Sequence, residues 1–219
     1  MASGILFDFN GVIIDDEPQH CDALIATLAE LGYPLDRETY YRDYLGFDDR
    51  ECFRFTFARR GEADEPRIQD AIERKNRHYE RAMRADMRLV PGAVDFVESA
   101  ALAGHPLAIV SGALRREIEL VLELSDLTPH FAEIVAAEDV TACKPSPLGY
   151  NRAREALGLS AGRCVVIEDS LPGLAAARAA GMRCAMLSTS HDAESLSEAD
   201  VVWRDFVGRS PEHLPWAHA

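Results

Sequence analysis

Lysine is scarce in this 219-residue chain: only Lys75 and Lys144 stand among its 23 basic residues. Asp and Glu together number 37, so the formal net charge is −14. Proteins that bind nucleic acid generally present a basic face, and this balance argues against such a partner. The scarcity also singles out the two lysines, because the chain uses arginine almost everywhere else. A small anionic substrate is still compatible with a locally positive site.

The sequence also lacks an apolar run of about 18 residues, which a membrane-spanning helix would need. Its five cysteines include no CxxC pair, and no basic region precedes the apolar stretch at the N-terminus. These absences predict reduced thiols, no signal peptide, and a cytoplasmic protein without a membrane partner. For the oligomeric state we expect a monomer or weak dimer.

Six short apolar segments alternate with helical patterns over most of the chain. The predicted strands lie at 3–9, 106–111, 133–137, 163–168, 183–187 and 200–203. The predicted helices in this part lie at 92–104, 114–124, 146–158, 170–181 and 192–198. Near-continuous apolar strands are typical of a parallel sheet that is covered on both faces. The alternation therefore predicts an α/β fold with a Rossmann-like, doubly wound parallel sheet.

One long segment, residues 15–85, interrupts this alternation. It contains no strand pattern, and its helical patterns lie near 17–31, 36–44, 49–60 and 65–84. Such a segment is too long for a simple connection between strands, so we interpret it as an inserted all-helical domain. The predicted domains are a core of residues 1–14 and 86–219 and a helical insert of residues 15–85.

Polar residues follow several predicted strands, at the edge where a doubly wound sheet binds its ligands. The sequences in question are Asp8-Phe9-Asn10-Gly11-Val12, Ser111-Gly112, Cys143-Lys144-Pro145-Ser146-Pro147 and Glu168-Asp169-Ser170. A carboxylate can attack a phosphoryl group and form an acyl phosphate. Carboxylate and carbonyl oxygens suit Mg²⁺, and a lysine neutralises charge on the transferring phosphoryl group. A serine hydroxyl and backbone N–H groups can hold phosphate oxygens, so this set predicts phosphoryl transfer.

Each of these residues also has an ordinary structural explanation. Glu168 and Asp169 suit a solvated strand exit or a helix cap, and Ser111 suits a plain turn. Lys144 suits a loop. Asp8 is the hardest to explain in this way, because a carboxylate inside an apolar strand is costly without a partner.

The motifs together resemble those of the haloacid dehalogenase superfamily. They are, in order, Asp8-Phe9-Asn10-Gly11-Val12-Ile13, Ser111, Lys144-Pro145-Ser146-Pro147 and Glu168-Asp169-Ser170. The helical insert directly after the first motif is similar to that of the group that holds phosphoglycolate phosphatases and β-phosphoglucomutases. The resemblance spans residues 3 to about 205, and four motifs in order at strand ends make it specific.

The resemblance implies a metal site and a nucleophile. Asp8 would be the nucleophile and a ligand of Mg²⁺, and Asn10 would offer its backbone carbonyl oxygen to the metal. Asp169 would also ligate Mg²⁺, with Glu168 as a direct or water-mediated ligand.

The resemblance also implies a substrate site for a small phosphorylated metabolite. Ser111, Gly112 and Lys144 would bind the phosphoryl group. The insert would be a cap that closes over the site and chooses the substrate. Arg50, in the region that corresponds to the recognition loop of the family, would meet a substrate anion, although a surface salt bridge is an equal alternative.

The sequence departs from the family pattern at Asn10. In the phosphatases and mutases of the family, the residue two after the nucleophile is usually an Asp that shuttles a proton, and an amide cannot do this. Three explanations stay open. Another group such as Glu17 or His20 carries the proton, the substrate has a good leaving group such as an acyl phosphate, or Asn10 is an engineered replacement of Asp.

The expected function is a Mg²⁺-dependent phosphatase that forms an aspartyl phosphate. One alternative is a sugar-phosphate mutase of the β-phosphoglucomutase type. Asn10 weakens that reading most, because a mutase needs acid and base in both half-reactions. A second alternative is a catalytically impaired phosphate-binding protein. Dehalogenase activity is disfavoured, because it needs no metal and would leave Glu168 and Asp169 unexplained.

Overall fold

The computed structural model describes residues 3–216 and contains a six-stranded sheet. Its strands are β1 (Gly4–Phe7), β2 (Leu107–Val110), β3 (Phe131–Val135), β4 (Cys164–Glu168), β5 (Arg183–Leu187) and β6 (Val201–Trp203). Their spatial order is β3-β2-β1-β4-β5-β6, and all neighbouring pairs are parallel. This is a doubly wound arrangement in which the strand order reverses between β1 and β4. The predicted α/β, Rossmann-like fold class is confirmed.

Burial explains why these segments form strands. Every residue of β1, β2 and β4 is buried, so each strand needs apolar side chains on both faces. All six strands overlap predicted ones, although β3 begins at Phe131, two residues before the predicted start at 133. The Phe131 ring packs edge-on against the ring of Phe7, with centroids 5.7 Å apart. This long-range contact lies outside what a local apolar pattern reveals.

Eight α-helices accompany the strands within residues 3–216. They are α1 (Glu17–Glu30), α2 (Arg37–Asp43), α3 (Asp49–Ala58), α4 (Glu65–Ala85), α5 (Ala93–Leu102), α6 (Arg115–Leu124), α7 (Leu148–Ala156) and α8 (Leu171–Ala179). Each overlaps a predicted helix. Among these described helices, none combines the length and the apolar character that crossing a membrane requires.

The predicted helix at 192–198 is wrong, because this segment forms turns. The Asp192 carboxylate accepts hydrogen bonds from the backbone N–H of Ser195 at 2.8 Å and from its hydroxyl at 2.7 Å. Asp and Ser side chains that bond to nearby backbone offer the chain an alternative to a helix. The backbone N–H of Ser197 then donates to the carbonyl oxygen of Glu194 at 3.2 Å, which makes a second tight turn.

The chain divides into two compact units, Asp16–Met87 and the remainder. The first unit contains α1 to α4 and an apolar core of its own, in which Leu24, Phe53 and Phe57 are buried. It occupies the part of the chain in which we interpreted residues 15–85 as an insert. Its action as a cap stays a prediction.

Aspartates begin three helices of this unit. Asp36, Asp48 and Asp64 each accept a hydrogen bond from a backbone N–H three residues later, at the starts of α2, α3 and α4. A cap of this kind stabilises a helix by about 1 kcal/mol. Part of the acidic composition of the segment therefore has a structural cause.

Candidate active site

Asp8 lies directly after β1, at the point where the strand order of the sheet reverses. Its backbone N–H donates to the carbonyl oxygen of Ile167 in β4 at 2.9 Å, so the ends of the two strands are joined there. Only 8% of the surface of Asp8 is exposed. Doubly wound sheets bind ligands in the crevice beside this reversal, so the position of Asp8 makes it a candidate for chemistry.

A tight turn follows Asp8 and contains Asn10. The carbonyl oxygen of Phe9 accepts hydrogen bonds from the backbone N–H groups of residues 12–14, at 2.8–3.2 Å. Gly11 has a φ of 72°, and a Cβ atom there would lie 1.9 Å from Asp169 Oδ2. Only glycine suits both this backbone conformation and this space. The turn therefore lies directly against the residues that follow β4.

Lys144 joins the ends of β1 and β4. Its Nζ atom lies 2.6 Å from Asp8 Oδ1 and 2.5 Å from Glu168 Oε1. It also lies 5.2 Å from the centre of the Tyr150 ring. Burial alone would lower the pKa of Lys144, but the charges of Asp8 and Glu168 outweigh it and raise that pKa. Lys144 is therefore an ammonium ion in the site.

Glu168 is fully buried and is held by five donors. Its Oε1 atom accepts from Lys144 and, at 2.8 Å, from the hydroxyl of Tyr150. Its Oε2 atom accepts from the backbone N–H groups of Asp169 and Ser170, both at 3.0 Å, and from the Ser170 hydroxyl at 2.9 Å. Burial would raise the pKa of Glu168, but Lys144 and these hydrogen bonds lower it. The side chain is therefore an ionised anchor for Lys144.

The start of α8 is shaped around this anchor. The side chain of Ser170 accepts a hydrogen bond from the backbone N–H of Gly173 at 3.1 Å and so caps the helix. A Cβ atom at Gly173 would lie 1.9 Å from the carboxylate of Glu168. Glycine at this position therefore lets the helix approach the buried carboxylate.

Asp169 is the third carboxylate of the site, and 4% of its surface is exposed. Its Oδ2 atom accepts a short hydrogen bond from the hydroxyl of Ser190, in the loop after β5. Burial raises the pKa of Asp169 to about 6, and the charge of Glu168 adds to this, whereas the Ser190 hydrogen bond lowers it.

The three carboxylates carry more negative charge than Lys144 can balance. One oxygen each from Asp8, Glu168 and Asp169 lies within 4.8 Å of the others, close enough to hold a metal ion. Burial, followed by the charge of Glu168, raises the pKa of Asp8 to about 8, and Lys144 opposes this only in part. A divalent cation would remove the excess charge, and Mg²⁺ prefers oxygen ligands. The donor set therefore fits Mg²⁺.

Ser111 and Gly112 follow β2 and border a cavity of about 120 Å³, of which Lys144 is another wall. The backbone N–H of Ser111 donates to the carbonyl oxygen of Val135 at 2.9 Å. Its hydroxyl oxygen accepts from the backbone N–H of Ala113 at 3.0 Å. A hydroxyl that accepts in this way still has its own proton to donate to an anion.

Arg50 lies in α3 of the helical unit and forms an ion pair with Glu65 of the same unit. Its side chain is 43% exposed. This ion pair is the surface salt bridge that we gave as the alternative to substrate binding by Arg50. Substrate binding by Arg50 stays a prediction.

The two alternative proton carriers also have partners in the helical unit. The hydroxyl of Tyr40 donates to Glu17 Oε1 at 2.6 Å. His20 Nδ1 lies 2.9 Å from Lys75 Nζ, and His20 Nε2 lies 3.3 Å from a carboxylate oxygen of Asp16. A role of either residue in proton transfer stays a prediction.

Sequence reasoning missed three polar residues of the site: Tyr150, Thr189 and Ser190. The last two follow β5 at the same edge of the sheet as Asp8 and Asp169, so the rule that singled out polar strand ends would have found them. Tyr150 lies inside a helix and gave no such signal.

The sequence matches the family model of haloacid dehalogenase-like hydrolases over residues 5–187. The chain belongs to the haloacid dehalogenase-like hydrolases. The family resemblance drawn from the four motifs is thereby confirmed. Enzymes of this family generally use Mg²⁺, and the acidic cluster of this hydrolase is the corresponding feature.

Similar proteins of this family cover nearly the whole chain. The plasmid form of protein CbbY of Cupriavidus necator is 31% identical over 229 residues, with 97% of this chain and 90% of that protein covered. Validoxylamine A 7'-phosphate phosphatase of Streptomyces hygroscopicus subsp. limoneus is 29% identical, with 97% and 96% covered. One similar crystal structure is that of a Rhodobacter sphaeroides CbbY variant with one Asp replaced by Asn, in complex with xylulose 1,5-bisphosphate. Its sequence is 30% identical to this chain, and the TM-score is 0.82. It covers 97% of this chain and 98% of that one. The predicted enzyme class, a phosphatase of this hydrolase family, is confirmed.

The raised pKa of Asp8 predicts how the metal-free protein responds to pH. A folded-state pKa of about 8, against an ordinary 3.8, means that the stability tied to the protonated form is present below about pH 4 and lost as the pH rises toward 8. Asp8→Asn removes this loss. In a chelator, the free energy of unfolding of the variant should rise relative to that of wild type by up to about 1.4 kcal/mol per pH unit between pH 5 and 8.

Urea unfolding at several pH values measures this difference. The exposed Asp95→Asn is the control and should show no such growing gain. A constant difference between Asp8→Asn and wild type over this range would contradict the raised pKa of Asp8.

Proposed function

We propose that this hydrolase is a Mg²⁺-dependent phosphatase of small phosphorylated sugars or related polyols, with Asp8 as its nucleophile. The observation that carries the proposal is the pairing of a buried Asp8 with the Lys144 ammonium at the strand-order reversal, beside Asp169. Lys144 holds positive charge where a phosphoryl group would meet the carboxylate.

The reaction follows from these groups. An ionised Asp8 oxygen attacks phosphorus, a P–O bond forms, and the bond to the leaving alcohol breaks with its electron pair. Water then attacks phosphorus and loses a proton, and the bond from phosphorus to Asp8 breaks with its electron pair on the carboxylate, which releases phosphate. The proton that the water loses balances the one that the alkoxide leaving group takes up from solvent. A Mg²⁺ ion held by Asp8, Asp169 and the backbone carbonyl of Asn10 would supply positive charge that stabilises the phosphoryl oxygens.

Glu168 serves this chemistry through Lys144. Five donors already use its two oxygens, so it is better suited to fix the ammonium and to reach a metal through water than to bind it directly. Lys144 then bridges the nucleophile and the incoming phosphoryl group.

The phosphoryl group would rest against the residues that border the 120 Å³ cavity. The Ser111 hydroxyl, whose oxygen already accepts from the backbone, is free to direct its proton toward a phosphate oxygen. The backbone at Gly112, which is exposed, and the Lys144 ammonium complete the group of donors.

The substrate class rests on the relatives. One of them is named for validoxylamine A 7'-phosphate, and the variant of another was crystallised with xylulose 1,5-bisphosphate. A phosphorylated polyhydroxy compound is therefore the class that we propose for this chain. The helical unit, with Arg50 as a candidate for a second anionic group, would choose among its members.

A second function, phosphate binding with little turnover, is favoured by one observation. Asn10 stands where the family pattern has a proton-carrying Asp. General acid–base help is typically worth about 10²–10⁴-fold, so its loss slows the reaction without abolishing it. Acyl and aryl phosphates need this help least, because their leaving groups depart as stable anions.

Phosphate release from acetyl phosphate and p-nitrophenyl phosphate tests the proposed function. Turnover should require Mg²⁺ and stop in a chelator. Asp8→Asn should leave less than about 1% of it, since an amide is not a useful nucleophile. Undiminished turnover by Asp8→Asn would overturn the assignment. Interconversion of sugar phosphates without phosphate release would favour the mutase instead.

Asn10→Asp tests the effect of the amide. It should raise turnover of alkyl phosphates such as sugar monophosphates by about 10²–10⁴-fold, because an alkoxide leaving group gains most from protonation. The gain on aryl or acyl phosphates should be much smaller. Mass spectrometry must first confirm the amide, because an Asn-Gly pair can deamidate on storage. No gain on any alkyl phosphate would mean that another group, with Glu17 and His20 tested first, already carries the proton.

A further inference from the structure

The loop after β5 contacts both of the segments that form the proposed metal site. The backbone N–H of Ser188 anchors the loop by donating to a carbonyl oxygen of β6 at 2.8 Å. The hydroxyl of Thr189 donates to the carbonyl oxygen of Gly11 at 2.7 Å. The hydroxyl of Ser190 donates to Asp169 Oδ2 in a short hydrogen bond. Two adjacent side chains therefore reach the turn after β1 and the carboxylate after β4.

Packing at this point leaves the carboxylate little space. A Cβ atom at Gly11 would lie 1.9 Å from Asp169 Oδ2 and 3.2 Å from Ser190 Oγ. The turn, the carboxylate and the hydroxyl thus share one small volume, in which the Ser190 hydrogen bond selects the direction of one carboxylate oxygen.

We propose that Ser190 is a positioning residue that orients the carboxylate of Asp169 for Mg²⁺. The inference rests on the proposed function, because it takes Asp169 as a ligand of the metal. Ser190 acts through Asp169 and touches neither substrate nor metal. Hydrogen-bond partners of ligating side chains fix their orientation, and losing one typically costs about 10–100-fold in metal affinity.

The structure separates this role from a general role in folding. Ser190 is an exposed loop residue, and Ser190→Ala removes only its hydroxyl. The backbone bond of Ser188 and the hydroxyl of Thr189 still hold the loop in that variant. The variant should therefore stay folded in a chelator, with a melting temperature lowered only by the loss of one hydrogen bond.

Calorimetric titration with Mg²⁺ alone, at fixed pH and ionic strength, tests the inference. Ser190→Ala should raise the Kd for Mg²⁺ by about 10–100-fold. Ser190→Thr, which restores a hydroxyl, should bind within a few-fold of wild type. Ser188→Ala is the matched control, because only its backbone holds the loop, and its Kd should equal that of wild type.

Asp169→Asn distinguishes the failure of this inference from failure of the proposed site. If Asp169→Asn loses Mg²⁺ and Ser190→Ala keeps the wild-type Kd, the positioning role is wrong and the metal site stands. If Asp169→Asn binds like wild type, the proposed metal site itself is wrong. Equal weakening by Ser190→Ala, Ser190→Thr and Ser188→Ala, with lower melting temperatures, would show a loop that is merely structural and would also overturn the inference.

Discussion

The ion pair of Lys144 with Asp8 and Glu168 is the interaction on which the proposed chemistry depends. Lys144 is partly buried, and an ammonium withdrawn from water is costly unless it is paired and hydrogen-bonded; two carboxylates from neighbouring strand ends pair with it. Glu168 is fixed by its other donors, so it determines where the ammonium lies. The ammonium in turn lies against Asp8, where it would offset the negative charge of a phosphoryl group that the carboxylate attacks.

Lys144 supplies one positive charge beside three carboxylates, so the site carries excess negative charge. An anionic substrate would add to this excess, and a bound metal ion would reduce it. Without a cation, burial and then the charge of Glu168 hold the pKa of Asp8 near 8, and a protonated Asp8 is no nucleophile. In the proposed site, Mg²⁺ would favour the ionised form of Asp8 as an anionic substrate approaches. The local positive charge of Lys144 and of the proposed Mg²⁺ would let a chain with a net charge of −14 bind a phosphate ester. Asn10 affects the supply of a proton and not the charge of the site. Phosphate binding can therefore be retained where turnover is slow.

Much of the fold follows from local pattern, because parallel strands buried on both faces are continuous apolar runs with polar ends. That pattern located β1, β4 and the residues Asp8 and Asp169 that follow them. It failed where a side chain competes with the backbone, as Asp192 does in the turns at 192–198. It also gave no sign of Tyr150, since the contact with Glu168 spans 18 residues and requires a folded core. Ser190 follows a strand end, so the same pattern could have located it, but its hydrogen bond with Asp169 depends on β5 lying beside β4.

Whether Asp8 is the nucleophile is tested most directly by the fate of the phosphoryl group in the first turnover. Excess p-nitrophenyl phosphate and Mg²⁺ are mixed with concentrated enzyme, the reaction is quenched in acid, and peptides are analysed by mass spectrometry. Since Asn10 offers no base for the attacking water, we expect a burst of p-nitrophenol equal to the enzyme present, with the phosphoryl group on the peptide at Asp8. Turnover with the phosphoryl group on a different side chain, or with Asp8 unmodified throughout the first turnover, would contradict it.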